Sequence, residues 1–232
     1  EPIYITFDDG PKPRATDTVL DVLKELCLKA TFFLNGIHMS NSKKEQHRLT
    51  RDLLNSGHTI ATHGYDHNPE SRNQYHESSP NAVKGDYTDN DQYFRDLFTA
   101  YGDSFPGFEM ARLPGDGKTF ANYVRMITSE LKLAHIGWHF EFAPIGTFKK
   151  RLNTPWQGLQ SVGGERAEYP KAQSIILMHD HHWIGKGKEL KALFLKLMEE
   201  RRLLPLRRVD LQSVQRNQKS RALIPADQIT LP

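Results

Sequence analysis

The feature that most constrains this chain is an alternation, kept up from end to end, of short β-type runs with longer helical patterns. Repeated βα units produce such alternation, because strands lying parallel in one sheet need a long crossover between them and a helix supplies it. Residues 3–7, 30–34, 58–62, 109–113, 133–138, 174–178 and 203–207 make about seven candidate strands, each too short for a helix of its own. About seven parallel strands predict an α/β fold, a distorted (β/α) barrel. The 232 residues lie inside the range one such barrel occupies, so a single domain is expected over residues 1–212. Residues 213–232, polar and basic before a final apolar stretch, are expected to form a C-terminal tail able to dock on the barrel.

The helical patterns follow the same logic. Residues 16–26 carry Val19, Leu20, Leu23 and Leu26 on one stripe, and 43–55 gathers Leu49, Leu53 and Leu54 before Gly57, a residue suited to a left-handed cap. Residues 188–201 repeat the pattern. From 65 to 108 the spacing loosens, and Pro69, Pro80, Gly85, Gly102, Pro106 and Gly107 bracket one helical segment at about 89–101. A functional rim and a plain surface excursion are both open there, and 147–169 is similar.

Composition adds bounds. Hydrophobic residues at 38% supply a substantial core, and 25% charged residues fit an ordinary globular chain. The formal charge of +3 and a pI near 8.9 are mild, and Lys and Arg are scattered, so nucleic acid is not implied. A weakly basic surface suits an acidic glycan, and is equally common without one. Cys27, between Leu26 and Leu28, is the single cysteine; it rules out an internal disulfide and is expected in the core. No stretch approaches the ~18 consecutive apolar residues of a membrane span, and no charged-then-apolar leader opens the chain, so an export signal is expected to be absent from it. Oligomeric state is not legible in the pattern.

Three segments carry candidate chemistry. In Thr6-Phe7-Asp8-Asp9-Gly10 a β-type run ends in adjacent carboxylates, whose mutual repulsion calls for a cation, hydrogen-bond donors or an acid/base role; an Asp-Gly turn is the ordinary alternative. In His63-Gly64-Tyr65-Asp66-His67 two imidazoles follow another run, and two histidines plus a carboxylate leave an open position on zinc; among eleven histidines a chance pair is also open. In Ile175-Ile176-Leu177-Met178-His179-Asp180 an apolar strand delivers His179 to its end, for catalysis or as a hydrogen-bonded structural residue. Arg112, before Leu113-Pro114-Gly115, is a further polar strand-end residue. Together these runs present their polar residues at one C-terminal edge, where barrel enzymes build active sites. His181, His182 and Trp183 follow, as an exposed polar loop or a border of that site.

With these motifs on hand, residues 3–210 resemble the polysaccharide deacetylases, carbohydrate esterase family four or the NodB-homology domain. The resemblance implies metal-dependent hydrolysis of N-acetyl groups on a glycan, peptidoglycan first and chitin or chitooligosaccharides second. It makes Asp8 the base, Asp9, His63 and His67 the metal ligands, Arg112 the holder of the base, and His179 the acid. It also makes the Gly115 N–H an oxyanion donor, with Leu177 and Trp138 walling the acetyl methyl. Zinc is the expected metal, with cobalt, manganese or iron able to use the same ligands, and a periplasmic or extracellular location is implied. Departures are Gly64 in place of a hydroxyl residue, a missing aromatic beside Arg112, and Ile136-Gly137-Trp138, where an Asp before Trp is usual. Glu141, Asp66 or Asp180 is expected to replace that Asp; otherwise a glycan-binding domain with weakened or lost catalysis is the alternative.

Overall fold

The structure, a computed structural model, describes residues 1–66, 79–115, 121–147, 159–162, 170–220 and 229–232. In chain order its strands are β1 (Pro2–Gly10), β2 (Thr31–Leu34), β3 (Thr59–Thr62), β4 (Met110–Ala111), β5 (Ala134–Ile136), β6 (Phe140–Pro144), β7 (Leu159–Val162), β8 (Ile175–His179), β9 (Arg202–Leu204) and β10 (Ile229–Thr230). Helices α1 (Ala15–Glu25), α2 (Lys43–Asn55), α3 (Pro80–Ala100), α4 (Ala121–Ser129), α5 (Gly187–Met198) and α6 (Leu211–Ser220) connect them. Every strand run expected from the sequence forms, within a few residues of its expected ends.

The sheet follows the order β10-β5-β4-β3-β2-β1-β8-β6-β7, with β9 added against β1. From β5 to β6 every neighbour is parallel, while β10 on β5 and β7 on β6 are antiparallel. The path does not close on itself, so the expected barrel is a curled half-barrel with antiparallel edges. β6 was not expected: its Phe140-Glu141-Phe142-Ala143 alternation is short and follows β5 closely. The C-terminal segment forms α6 and then β10, with Ile229 opposite Ile136.

Strand period separates two of the three buried clusters of the core. Ile3, Ile5 and Phe7 of β1, with Phe32, Leu34, Ile176 and Met178, pack outward against Val19 and Leu23 of α1, Leu53 of α2 and Leu190 of α5. The alternate positions Tyr4, Phe33, Ala61, Met110 and Ile175 face a second cluster that takes in Leu206, Leu211, Val214 and Ile229. The same alternation puts Thr6, Asp8, Leu177 and His179 on one face of β1 and β8, in the register Thr6–Leu177 and Asp8–His179.

α3 corrects the sequence reading. It begins at Pro80, well before residue 89, because Pro80 is not a bracket but the first helical residue, where a missing N–H costs nothing. The Ser79 hydroxyl caps it, accepting from the Ala82 N–H at 3.1 Å. Cys27 is likewise corrected: it is exposed, at φ 53 in the turn after α1, which directs Leu28 inward instead.

Candidate active site

β1 delivers Asp8 and Asp9 to the C-terminal edge of the sheet, and the chain turns at once through Asp9 at φ 69 into Gly10. Beneath that turn lies Asp180, fully buried, whose Oδ2 accepts the Thr16 hydroxyl while Thr16 Oγ1 accepts the Lys12 N–H at 2.8 Å. A Cβ at Gly10 would lie 2.7 Å from Asp180 Oδ2, so glycine is what lets the turn close over this carboxyl. Burial pushes the Asp180 carboxyl up to about 6.

Arg112 follows β4 and is completely buried. Its guanidinium is partnered throughout: Nη1 donates to Asp8 Oδ1 at 2.7 Å and to Thr6 Oγ1 at 2.8 Å, Nε to the Ile136 carbonyl at 3.2 Å, and Nη2 to the Gly137 carbonyl at 3.1 Å. It lies over the Phe33 ring at 4.1 Å and 5.9 Å from the centre of Trp138. Burial lowers its pKa and Asp8 opposes that, but a guanidinium keeps its charge in either case.

The Arg112 carbonyl fixes a histidine. It accepts the Tyr87 hydroxyl at 2.6 Å and His63 Nδ1 at 2.8 Å. A carbonyl only accepts, so Nδ1 is the protonated nitrogen, and Nε2 of the neutral ring keeps a lone pair. Nε2 lies 3.5 Å from Asp8 Oδ2 and 3.8 Å from Asp9 Oδ1. A metal-binding histidine is ordinarily held in this way by its other nitrogen, so Asp9 and His63 suit a divalent cation bound by oxygen and imidazole nitrogen. Among the described residues no group of three or more such side chains is gathered. The third expected ligand, His67, lies outside the described residues.

His179, at the end of β8, closes the site. Its Nε2 is 3.9 Å from Asp9 Oδ2 and its Nδ1 is 3.4 Å from Glu141 Oε1. Burial by itself depresses its pKa, but the Glu141 contact and the carboxylates of Asp8 and Asp9 outweigh burial and hold it above the ordinary imidazole value. Of the three carboxylates considered for the place before Trp138, Asp180 is engaged with Thr16, and Glu141 is the one beside His179. Register explains it: Glu141 sits opposite Leu177, two residues before His179 on the same strand face. A lone carboxylate between Phe140 and Phe142 was the available signal.

The remaining expected residues are placed as follows. Leu177 is buried behind His179, Trp138 is half-buried beside Arg112, and Gly115 is exposed at φ 72. His181 and His182 do not form an exposed loop: they are half-buried in a 3-10 turn, with ring centres 5.6 and 5.1 Å from His179, and burial pushes them down to about 4 and about 3. Trp183 is fully buried in the outer core and borders no site.

Residues 1–112 match the model of the polysaccharide deacetylase family. The chitooligosaccharide deacetylase of Bradyrhizobium is 43% identical over 70 residues, 30% of each chain. The peptidoglycan-N-acetylglucosamine deacetylase of Bacillus cereus is 35% identical over 92 residues, 40% of this chain and 39% of that one. The matched part is therefore well under half the length of these curated relatives. At the level of fold, the peptidoglycan deacetylase PdaC from Bacillus subtilis superposes with a TM-score of 0.63 at 18% identity, covering 96% of this chain and 95% of that one. Residues 1–112 thus match the polysaccharide deacetylase family, and the chain as a whole shares the fold of a solved deacetylase.

Proposed function

We propose that this chain is a metal-dependent deacetylase that hydrolyses N-acetyl amides on a glycan, with peptidoglycan N-acetyl sugars as the first substrate and chitooligosaccharides as the second. The observation that carries the reading is a chain of contacts at the edge of the sheet: His63 lies 3.5 Å from Asp8 and 3.8 Å from Asp9, His179 lies 3.9 Å from Asp9, and Arg112 is buried against Asp8.

In this reading Asp9, His63 and His67 hold the metal, zinc by preference for such ligands, with cobalt, manganese or iron also accommodated. When bound, the metal supplies Lewis-acid polarisation of the acetyl carbonyl and acidifies water. The chain's own residues do the rest. The Asp8 carboxylate, held through Oδ1 by Arg112, takes a proton from the attacking water, whose oxygen bonds to the acetyl carbon. His179, whose pKa Glu141 and the nearby carboxylates hold above the ordinary imidazole value, gives a proton to the amide nitrogen as the C–N bond breaks. Acetate and a free amino sugar leave. The Gly115 N–H meets charge growing on the carbonyl oxygen, and Leu177 and Trp138 wall the methyl group.

The alternative, a glycan-binding domain without turnover, drew its force from the missing aromatic beside Arg112 and the missing carboxylate before Trp138; Glu141 beside His179 weakens the second ground. Names of the matched relatives support both polymers, and a cell-wall substrate would place the reaction in the periplasm or outside the cell. No helix among the described residues is long and apolar enough to cross a membrane. The test is acetate release from peptidoglycan and from chitin oligomers by zinc-loaded protein, with and without chelator. Chelator-sensitive release from one polymer supports the reading and names its substrate; glycan binding with no release from either contradicts it in favour of the binding domain.

A further inference from the structure

The loop that carries the metal-binding histidines is held in an unusual way. Gly64 stands where the resembled motif has a hydroxyl residue, and it adopts φ 80, a left-handed conformation. A Cβ built there would lie 2.0 Å from Asp86 Oδ2 and 3.1 Å from its Cγ. The space for a side chain at position 64 is thus filled by a carboxylate from another element, α3. Asp86 is only 4% exposed, too buried to be an incidental neighbour.

Its contacts all go to the loop. Asp86 Oδ1 accepts the Asp66 N–H at 2.7 Å, and the Asp86 carbonyl accepts the Tyr65 N–H at 3.1 Å. The rest of the loop backbone is bracketed from the other side. The His63 N–H donates to the Leu34 carbonyl at 3.0 Å, and Asn35 Nδ2 donates to the carbonyls of His63 and Gly64 at 3.1 and 2.8 Å. The Gly64 N–H donates to Thr62 Oγ1 at 3.2 Å, and the Tyr65 carbonyl accepts the Ile37 N–H at 3.1 Å. On the α3 side, the Asp86 main-chain carbonyl serves the Tyr65 N–H and the Asp86 side chain serves the N–H of Asp66, the residue just before His67 in sequence.

We propose that Asp86 is the positioning residue of the metal loop, and that Gly64 and Asp86 form an interdependent pair in which a side chain brought in from α3 replaces the motif's own hydroxyl. The inference rests on the reading of His63 and His67 as metal ligands. Its consequence is that a side chain at 64, strained in any case at φ 80, also meets a collision unless the one at 86 is shortened.

The test is zinc affinity, measured by competition of the zinc-loaded protein against a chromophoric chelator, for wild type, D86A, D86N, G64A and the double variant G64A/D86A. Melting temperatures are followed alongside. Outer contacts of metal ligands are worth about 10- to 100-fold in affinity. D86A is expected to weaken zinc about tenfold, while D86N, which keeps the Oδ1 acceptor, stays within about threefold of wild type. G64A is expected to lose about 100-fold, and the double variant far less than the product of the single losses, because the collision is gone. D86A with wild-type zinc affinity, or a double variant that loses the full product, overturns the inference while leaving the metal reading in place. Wild-type protein that holds no zinc overturns both.

Discussion

Arg112 shows what burying a charge demands of a single residue. A guanidinium with no exposure needs partners for its N–H groups, and β1, β5 and the turn after β5 provide them. Replacing Arg112 by Met strips Asp8 of its counter-charge inside the protein, and removal of one partner of a buried pair costs about 3–5 kcal/mol. Urea unfolding of R112M should show that loss, and R112M/D8N should recover part of it; a double variant no more stable than R112M would refute the pairing. Glu141 supports a second residue-scale prediction. Its contact raises the His179 pKa, so E141Q lowers that pKa, and the acid loses its proton at lower pH. The alkaline limb of the pH–rate profile should therefore move to lower pH in E141Q; a limb that stays in place would show that Glu141 does not act on His179.

At the scale of elements, the central strands were legible because each is a compact apolar run bounded by turn residues, and α2 was legible to the residue from Leu49, Leu53 and Gly57. α3 was only partly legible. Its apolar stripe is diluted, since Asp86 and Asn90 are buried to serve the loops of neighbouring strands, and such roles leave no periodic trace. Pro80 was read as a breaker when it starts the helix under a Ser79 cap. S79A should cost about 1 kcal/mol by removing that cap, measured by thermal or urea unfolding, and an unchanged stability would contradict the helix start. The site followed the same division. Asp8, Asp9, His63, Arg112 and His179 stand at the ends of readable strands, whereas the contacts of Glu141 and Tyr87 depend on pairings between distant segments.

For the molecule as a whole, the half-barrel leaves its inner face to be completed by chain from both ends. Leu211 and Val214 of α6 and Ile229 of β10 join Tyr4 of β1 and Ile136 of β5 in one buried cluster beneath the site. The C-terminal segment, expected as a tail able to dock on the barrel, thus contributes Val214 and Ile229 to the core. Deleting residues 211–232 uncovers that face; at about 1.5–3 kcal/mol for each buried aliphatic side chain, the loss should exceed about 4 kcal/mol, a large part of a domain's stability. A truncated protein that melts with the full chain would contradict this. The fold brings the charged strand ends to one edge, and the central claim is that this edge is a metal-dependent hydrolytic site with Asp8 as its base and Asp9 and His63 among its ligands. The most direct test is to measure zinc content and acetate release together in D8N and H63A. The account predicts that D8N keeps zinc and loses turnover, whereas H63A loses both. Wild-type acetate release by D8N, or undiminished zinc in H63A, would contradict it.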